Sequence, residues 1–267
     1  MLFVNNIIKF VWHPKTNIQN STFNMDIKGN IKLFDLVVTD YRASEILEKY
    51  NIDFFNNGKI TLFEACNDSG LDLENIIVEL KATIKGESDN PQFNDFSIDS
   101  LIKYIKDVHH EYIRGTFPML DSLTKEISVT LKNPSSELLK LTELYEALKE
   151  ELEIHIQKEE KMIFPYLSEL LEKKNHSLTF EAPPFGSIAN LIEVMEKEHN
   201  KTAEILYEIR KITDNYFTTE NAGMSVKVLY NELKKFEKDL HYHIHLENNI
   251  LFPKAVALEK EIKKLNL

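Results

Sequence analysis

Two segments of this chain each pair a histidine with a glutamate four residues later: His155 with Glu159 in HIQKEEKMIFP, and His243 with Glu247 in HIHLENNILFP. On an α-helix that spacing sets both side chains on one face about a turn apart, so an imidazole and a carboxylate can meet one cation. The segments superimpose at an offset of 88 residues, which carries 155 to 243, 159 to 247 and Pro165 to Pro253. A lone histidine precedes each, His110 by 45 residues and His199 by 44. Nitrogen and oxygen donors without thiolate suit iron, manganese or zinc. Two bridging carboxylates in a bundle core are how helical proteins hold a di-iron or di-manganese pair. A satisfied buried polar network is the competing reading.

The helices that carry these residues mark their inner faces with apolar side chains. Leu138, Leu141, Tyr145, Leu148 and Leu152 alternate spacings of three and four and lead directly to His155 and Glu159. Leu229, Leu233, Phe236 and Leu240 lead in the same way to His243 and Glu247 before Ile250 resumes the stripe, and His199 interrupts Ile188, Ile192, Met195, Thr202, Leu206 and Ile209. An ionised glutamate on such a face loses its hydration, at a cost of several kcal/mol unless a partner neutralises it. In the first helix, Ile98, Leu101, Ile105 and Val108 point equally to His109 and His110, and the repeat offset favours His110. His241 and His245 fall at the repeat positions of Glu153 and Gln157 and are expected to be solvated. Glu151 and Glu198, beside the ligand positions, could line a polar path to the site. Pro118, Pro165 and Pro253 each follow a phenylalanine inside a helical pattern, where they either bend the helix or end it.

Long runs rich in Leu, Ile, Glu and Lys, with only 7 Gly and 8 Pro in 267 residues, predict an all-α protein. Residues 1–34 have weak periodicity and read as an extension. Residues 35–85 form a small helical module with helices beginning near Ser44, Thr61 and Leu73, and 86–97 form a polar linker. From 98 to 267, four helical patterns (98–131, 136–174, 187–214 and 224–264) are joined by short breaks, which predicts an antiparallel four-helix bundle. A net charge of −11, from 32 basic and 43 acidic residues with no basic stripe, argues against a nucleic-acid partner. The single cysteine, Cys66, excludes an intramolecular disulfide and favours a reducing cytoplasm. No segment approaches the roughly 18 apolar residues of a membrane span.

With HHEYIRGTFPML, HIQKEEKMIFP, VMEKEHN and HIHLENNILFP in this order, residues 35–260 resemble the RIC (repair of iron centres) family of hemerythrin-like di-iron proteins. The resemblance implies two iron ions cycling between Fe2+ and Fe3+, oxo- or hydroxo-bridged. Their ligands would be His110, His155, Glu159, His199, His243 and Glu247, with Glu159 and Glu247 bridging. It further implies protection or repair of iron-sulfur and other iron centres under nitrosative or oxidative stress, by iron donation or by reaction with nitric oxide. The partners would be damaged iron-sulfur proteins or another iron acceptor, and a homodimer is allowed. A reversible binder or sensor of dioxygen or nitric oxide is the alternative. A catalytic oxidase or reductase role would need an external reductant, because the chain carries no flavin or nicotinamide motif. RASEILEKYNIDFFNNGKITLFEAC is similar to the family's small N-terminal domain, but that domain's Cys-Cys-Gly-Gly is replaced by Phe55, Asn56, Asn57 and Gly58. Any thiol chemistry of that domain is therefore not expected here, and Cys66 reads as a small buried hydrophobe.

Overall fold

The computed structural model describes residues 27–40, 42–55, 57–84, 93–130, 135–176, 179 and 182–265. Most of the extension, Asn56, much of the linker and the break at 133–134 lie outside the described residues. Four short helices come first: α1 (Leu33–Thr39), α2 (Ala43–Lys49), α3 (Leu62–Asp68) and α4 (Leu73–Thr83). Local chemistry starts the last two. Thr61 and Glu64 form a reciprocal capping box, and Asp72 accepts from the backbone N–H groups of Glu74 and Asn75. Gly70, at φ 64°, turns the chain between them in a conformation that glycine adopts without steric cost. Leu33, Leu36, Leu47, Phe54, Leu62, Ile76 and Leu80 make the core of this module, and Ile27 packs into it, so part of the stretch read as an extension belongs to the small domain.

Four rods follow. α5 (Ile98–Tyr104) passes through a π-helical turn (Ile105–His110) into α6 (Glu111–Thr130). α7 (Ser136–Lys158) passes through a second π turn (Glu159–Ile163) into α8 (Phe164–His176). α9 (Ile188–Ile212) is regular, and α10 (Met224–Leu246) passes through a third π turn (Glu247–Leu251) into α11 (Phe252–Leu265). Short connections between successive rods make them antiparallel, with α6 packed on α10 and α7 on α9. None of these helices is long and apolar enough to cross a membrane.

The π turns explain a spacing that an α-helix cannot accommodate. One buried stripe of the second rod runs through Leu141, Tyr145, Leu148, Leu152, His155, Glu159, Ile163, Leu167 and Leu170, with three consecutive steps of four beginning at the histidine. The fourth rod repeats this with His243, Glu247, Leu251 and Ala255. At roughly 100° per residue three such steps would rotate the face away from the core. One wide turn in each rod restores it. In each turn the glutamate's own carbonyl accepts from the N–H five residues on, Phe164 for Glu159 and Phe252 for Glu247. The next residue in each case, Pro165 or Pro253, has no N–H to compete for the skipped carbonyls. These prolines neither end nor break the rods, which continue to His176 and Leu265.

Two apolar clusters fill the bundle. One joins α5, α8, α11 and the start of α9 around Leu101, Leu167, Ile188, Leu251 and Phe252. The other joins α6, α7, α10 and the end of α9 around Leu120, Leu148, Ile209, Phe236 and Leu240. A polar layer lies between them. Truncating Leu148, which is wholly buried, to alanine is expected to cost about 2–5 kcal/mol of unfolding free energy, whereas Leu139→Ala on the solvent face should stay within about 0.5 kcal/mol. Urea unfolding of both variants measures the difference.

Candidate metal centre

The polar layer consists of the six residues singled out by the repeat. Glu159 and Glu247 are 0% exposed, and His110, His155, His199 and His243 are 5% or less. Nε2 of His110 lies 3.2 Å from Glu159 Oε2, and His155 Nε2 lies 3.5 Å from the same oxygen. Glu247 divides its oxygens, with Oε1 2.7 Å from His243 Nε2 and Oε2 3.1 Å from His199 Nε2. Two groups of donor atoms result: His110, His243, Glu159 and Glu247, and beside them His155, His199 and Glu247. Each group therefore joins the lone histidine of one repeat to the H-x-x-x-E histidine of the other.

The donor atoms are poorly satisfied by protein alone. Both oxygens of Glu159, Oε2 of Glu247 and Nε2 of His110 are buried without a hydrogen bond. Burial and the neighbouring Glu247 charge push the Glu159 carboxyl up to about 7. Burial drives the His243 imidazole down to about 3; His155, equally buried, is instead raised to about 10 by Glu159, Glu198 and Glu247 around it. Buried carboxylates facing imidazole nitrogens, with lone pairs left over, fit a pair of divalent cations.

The outer ring nitrogens fix the imidazoles. His110 Nδ1 pairs with Glu160 Oε1 at 2.8 Å, and Arg114 holds the other oxygen of Glu160 at 2.8 Å. His155 Nδ1 pairs with Glu198 Oε2 at 3.1 Å, and Lys158 engages the other oxygen. Burial opposes the ionisation of both carboxylates but is outweighed; Arg114 and His110 hold Glu160 low, and His155 and Lys158 hold Glu198 at about 2. His199 Nδ1 pairs with Asn248 Oδ1 at 2.9 Å. Such partners set the tautomer that aims Nε2 inward. Glu160 and Asn248 follow the two core glutamates and are themselves 88 residues apart, so the repeat already contained the signal that finds them.

Three residues depart from what their positions suggest. His109 is as buried as His110, but its Nδ1 pairs with Asp239 at 3.0 Å and its ring stacks flat on His243 at 5.5 Å between centroids. The π turn Ile105–His110 carries both histidines inward, and only His110 turns its Nε2 toward a core glutamate. His241 and His245 are buried, not solvated, because the small domain covers this face of α10: Phe55 stacks on His241 at 4.1 Å, and Phe54 meets His245 edge-on at 5.9 Å. Glu151, a turn before His155, pairs with Lys201 across the α7–α9 seam, so the two glutamates noted as a path are engaged by different partners. Cys66 is buried in the small domain, where burial and the Asp72 charge push its thiol up.

Residues 101–255 match the hemerythrin HHE cation binding domain, and residues 29–84 match ScdA_N, a domain of unknown function. An iron-sulfur cluster repair protein YtfE from Cronobacter sakazakii is 31% identical over 85% of this chain and 97% of its own length. YtfE of Shigella boydii is 32% identical over the same shares. The iron-sulfur cluster repair protein ScdA of Staphylococcus haemolyticus is 28% identical over 82% of this chain and 95% of its own length. A helical cation-binding bundle of this ligand pattern, preceded by the ScdA_N domain, identifies the chain as a member of the RIC family.

Proposed function

We propose that this protein restores iron-sulfur and other iron centres damaged by nitric oxide or peroxide, in a reducing cytoplasm, through two iron ions held in the polar layer. One ion would take His110 and His243, the other His155 and His199, with Glu159 and Glu247 shared between them. The observation that carries the reading is the pair of wholly buried carboxylates facing four imidazoles, in a chain whose relatives are named for iron-sulfur cluster repair. Bound iron would supply a ferrous/ferric couple, affinity for small diatomic ligands, and metal that can pass to an acceptor. The protein's part is to hold the imidazoles through Glu160, Glu198 and Asn248 and to keep bulk water out with the apolar layers on either side. With only these four imidazoles and two carboxylates grouped as donors among the described residues of the layer, bound iron would keep positions open to exchangeable ligands.

Metal analysis after ferrous loading is expected to give about two iron ions per chain in the wild type, and clearly less in His155→Ala and Glu247→Ala; unchanged content in both would refute the site. In the repair assay, the loaded protein is incubated with an iron-sulfur enzyme inactivated by nitric oxide. Recovery should exceed that given by an equal amount of free ferrous iron, and equality would sink the repair reading. A stable, reversible dioxygen spectrum without recovery would point to a carrier instead.

Iron uptake should also depend on pH in a definite direction. Glu159 is pushed up to about 7, so in the metal-free protein it carries a proton below that pH, and this proton must leave before the carboxylate can bind a cation. Apparent affinity should therefore decline as pH falls through about 7, well above the ordinary glutamate range of roughly 4.3. Calorimetry in buffers of different ionisation enthalpy should show more protons released per iron at pH 6 than at pH 8; equal release would contradict the raised carboxyl.

A further inference from the structure

The small domain and the metal centre meet through one side chain. Asn248 lies in the third π turn, directly after Glu247, with its amide oxygen 2.9 Å from His199 Nδ1 and its amide nitrogen 3.4 Å from the backbone carbonyl of Phe55. Only one amide orientation serves both contacts. When a cation takes His199 Nε2, Nδ1 carries the proton and needs an acceptor, while the Phe55 carbonyl needs a donor. The repeat-equivalent Glu160 holds His110 in the same way, but it is acceptor-only and is completed by Arg114. At position 248 an amide replaces the carboxylate, and what completes it is the small domain.

The surrounding contacts make this a tight seat. Phe55 stacks on His241, and Ile244 of α10 enters the small domain's core. Asn249 pairs with His245, and its Oδ1 would lie only 2.6 Å from a side-chain carbon added at Gly58. Phe55 and Gly58 thus lie against the turn that carries Glu247. Because the Asn248 contact uses a backbone carbonyl, it does not depend on the thiols that this chain lacks.

We propose that Asn248 is a positioning residue that couples metal occupancy to docking of the small domain. Iron on the His155/His199 side fixes the Nδ1–H tautomer of His199, which fixes the Asn248 amide, which holds the Phe55 carbonyl. The coupling is reciprocal, so an undocked small domain weakens iron binding by the same factor that iron strengthens docking. The inference rests on the di-iron reading above.

Amide hydrogen exchange of the full chain, with iron content measured in the same samples, tests it. Ferrous loading of the wild type should slow exchange across 43–66 by roughly 2- to 10-fold, the range of one hydrogen bond. Asn248→Asp keeps an acceptor for His199 but loses the donor, so it should retain iron while losing the slowing at 43–66. Asn248→Ala should lose the slowing and weaken iron binding roughly 10- to 100-fold. Circular dichroism melts confirm that each variant is folded. If Asn248→Asp, loaded with iron, slows 43–66 as the wild type does, or if the loaded wild type shows no slowing, the coupling is refuted while the metal site stands. A wild type that binds no iron would overturn both.

Discussion

Glu159 and Glu247 are wholly enclosed, each on the inner face of its rod, and among the described residues neither pairs with an arginine or lysine. Two carboxylates removed from water and set near one another cannot both stay ionised without positive charge between them. Four imidazoles, the outer groups that orient them and the three wide turns are arranged around that demand. The apolar clusters above and below the layer sharpen it by keeping solvent from screening the charges.

The wide turns are where sequence and site are most closely joined. A continuous α-helix cannot keep His155, Glu159, Ile163 and Leu167 all inward, and a π turn costs backbone hydrogen bonding unless the chain supplies a residue that does not need it. Phe-Pro after the second and third turns does this, in register with the repeat. The helix thus opens where the buried glutamates sit.

The pseudo-twofold arrangement is not perfect, and its departures are informative. His110, His155 and His199 each have an outer acceptor, while Nδ1 of His243 has none among the described residues and its ring lies against His109. Two of the acceptors are carboxylates secured by a cation from the bundle, and the third is an amide secured by the small domain. The two halves of the centre therefore differ in how firmly and by what they are held, and only one of them is tied to the first domain.

Much of this was legible in the residues. The 88-residue repeat and the apolar stripes ending in His155–Glu159 and His243–Glu247 identified the bundle and the six side chains that meet in its polar layer, because burial of an apolar stripe dictates which way every residue on it points. The choice between His109 and His110 could not be made from the stripe, since the π turn at Ile105–His110 brings both inward. His241 and His245 looked solvated because helical periodicity describes one helix at a time, and the small domain that covers them comes from nearly 200 residues away. The grouping of histidines across the two repeats was decided only when the rods packed antiparallel, and the pairing of Asn248 with both His199 and Phe55 only when the small domain also docked. Sequence determines which face each helix buries, whereas the partner it meets there depends on contacts between distant segments that no local pattern encodes.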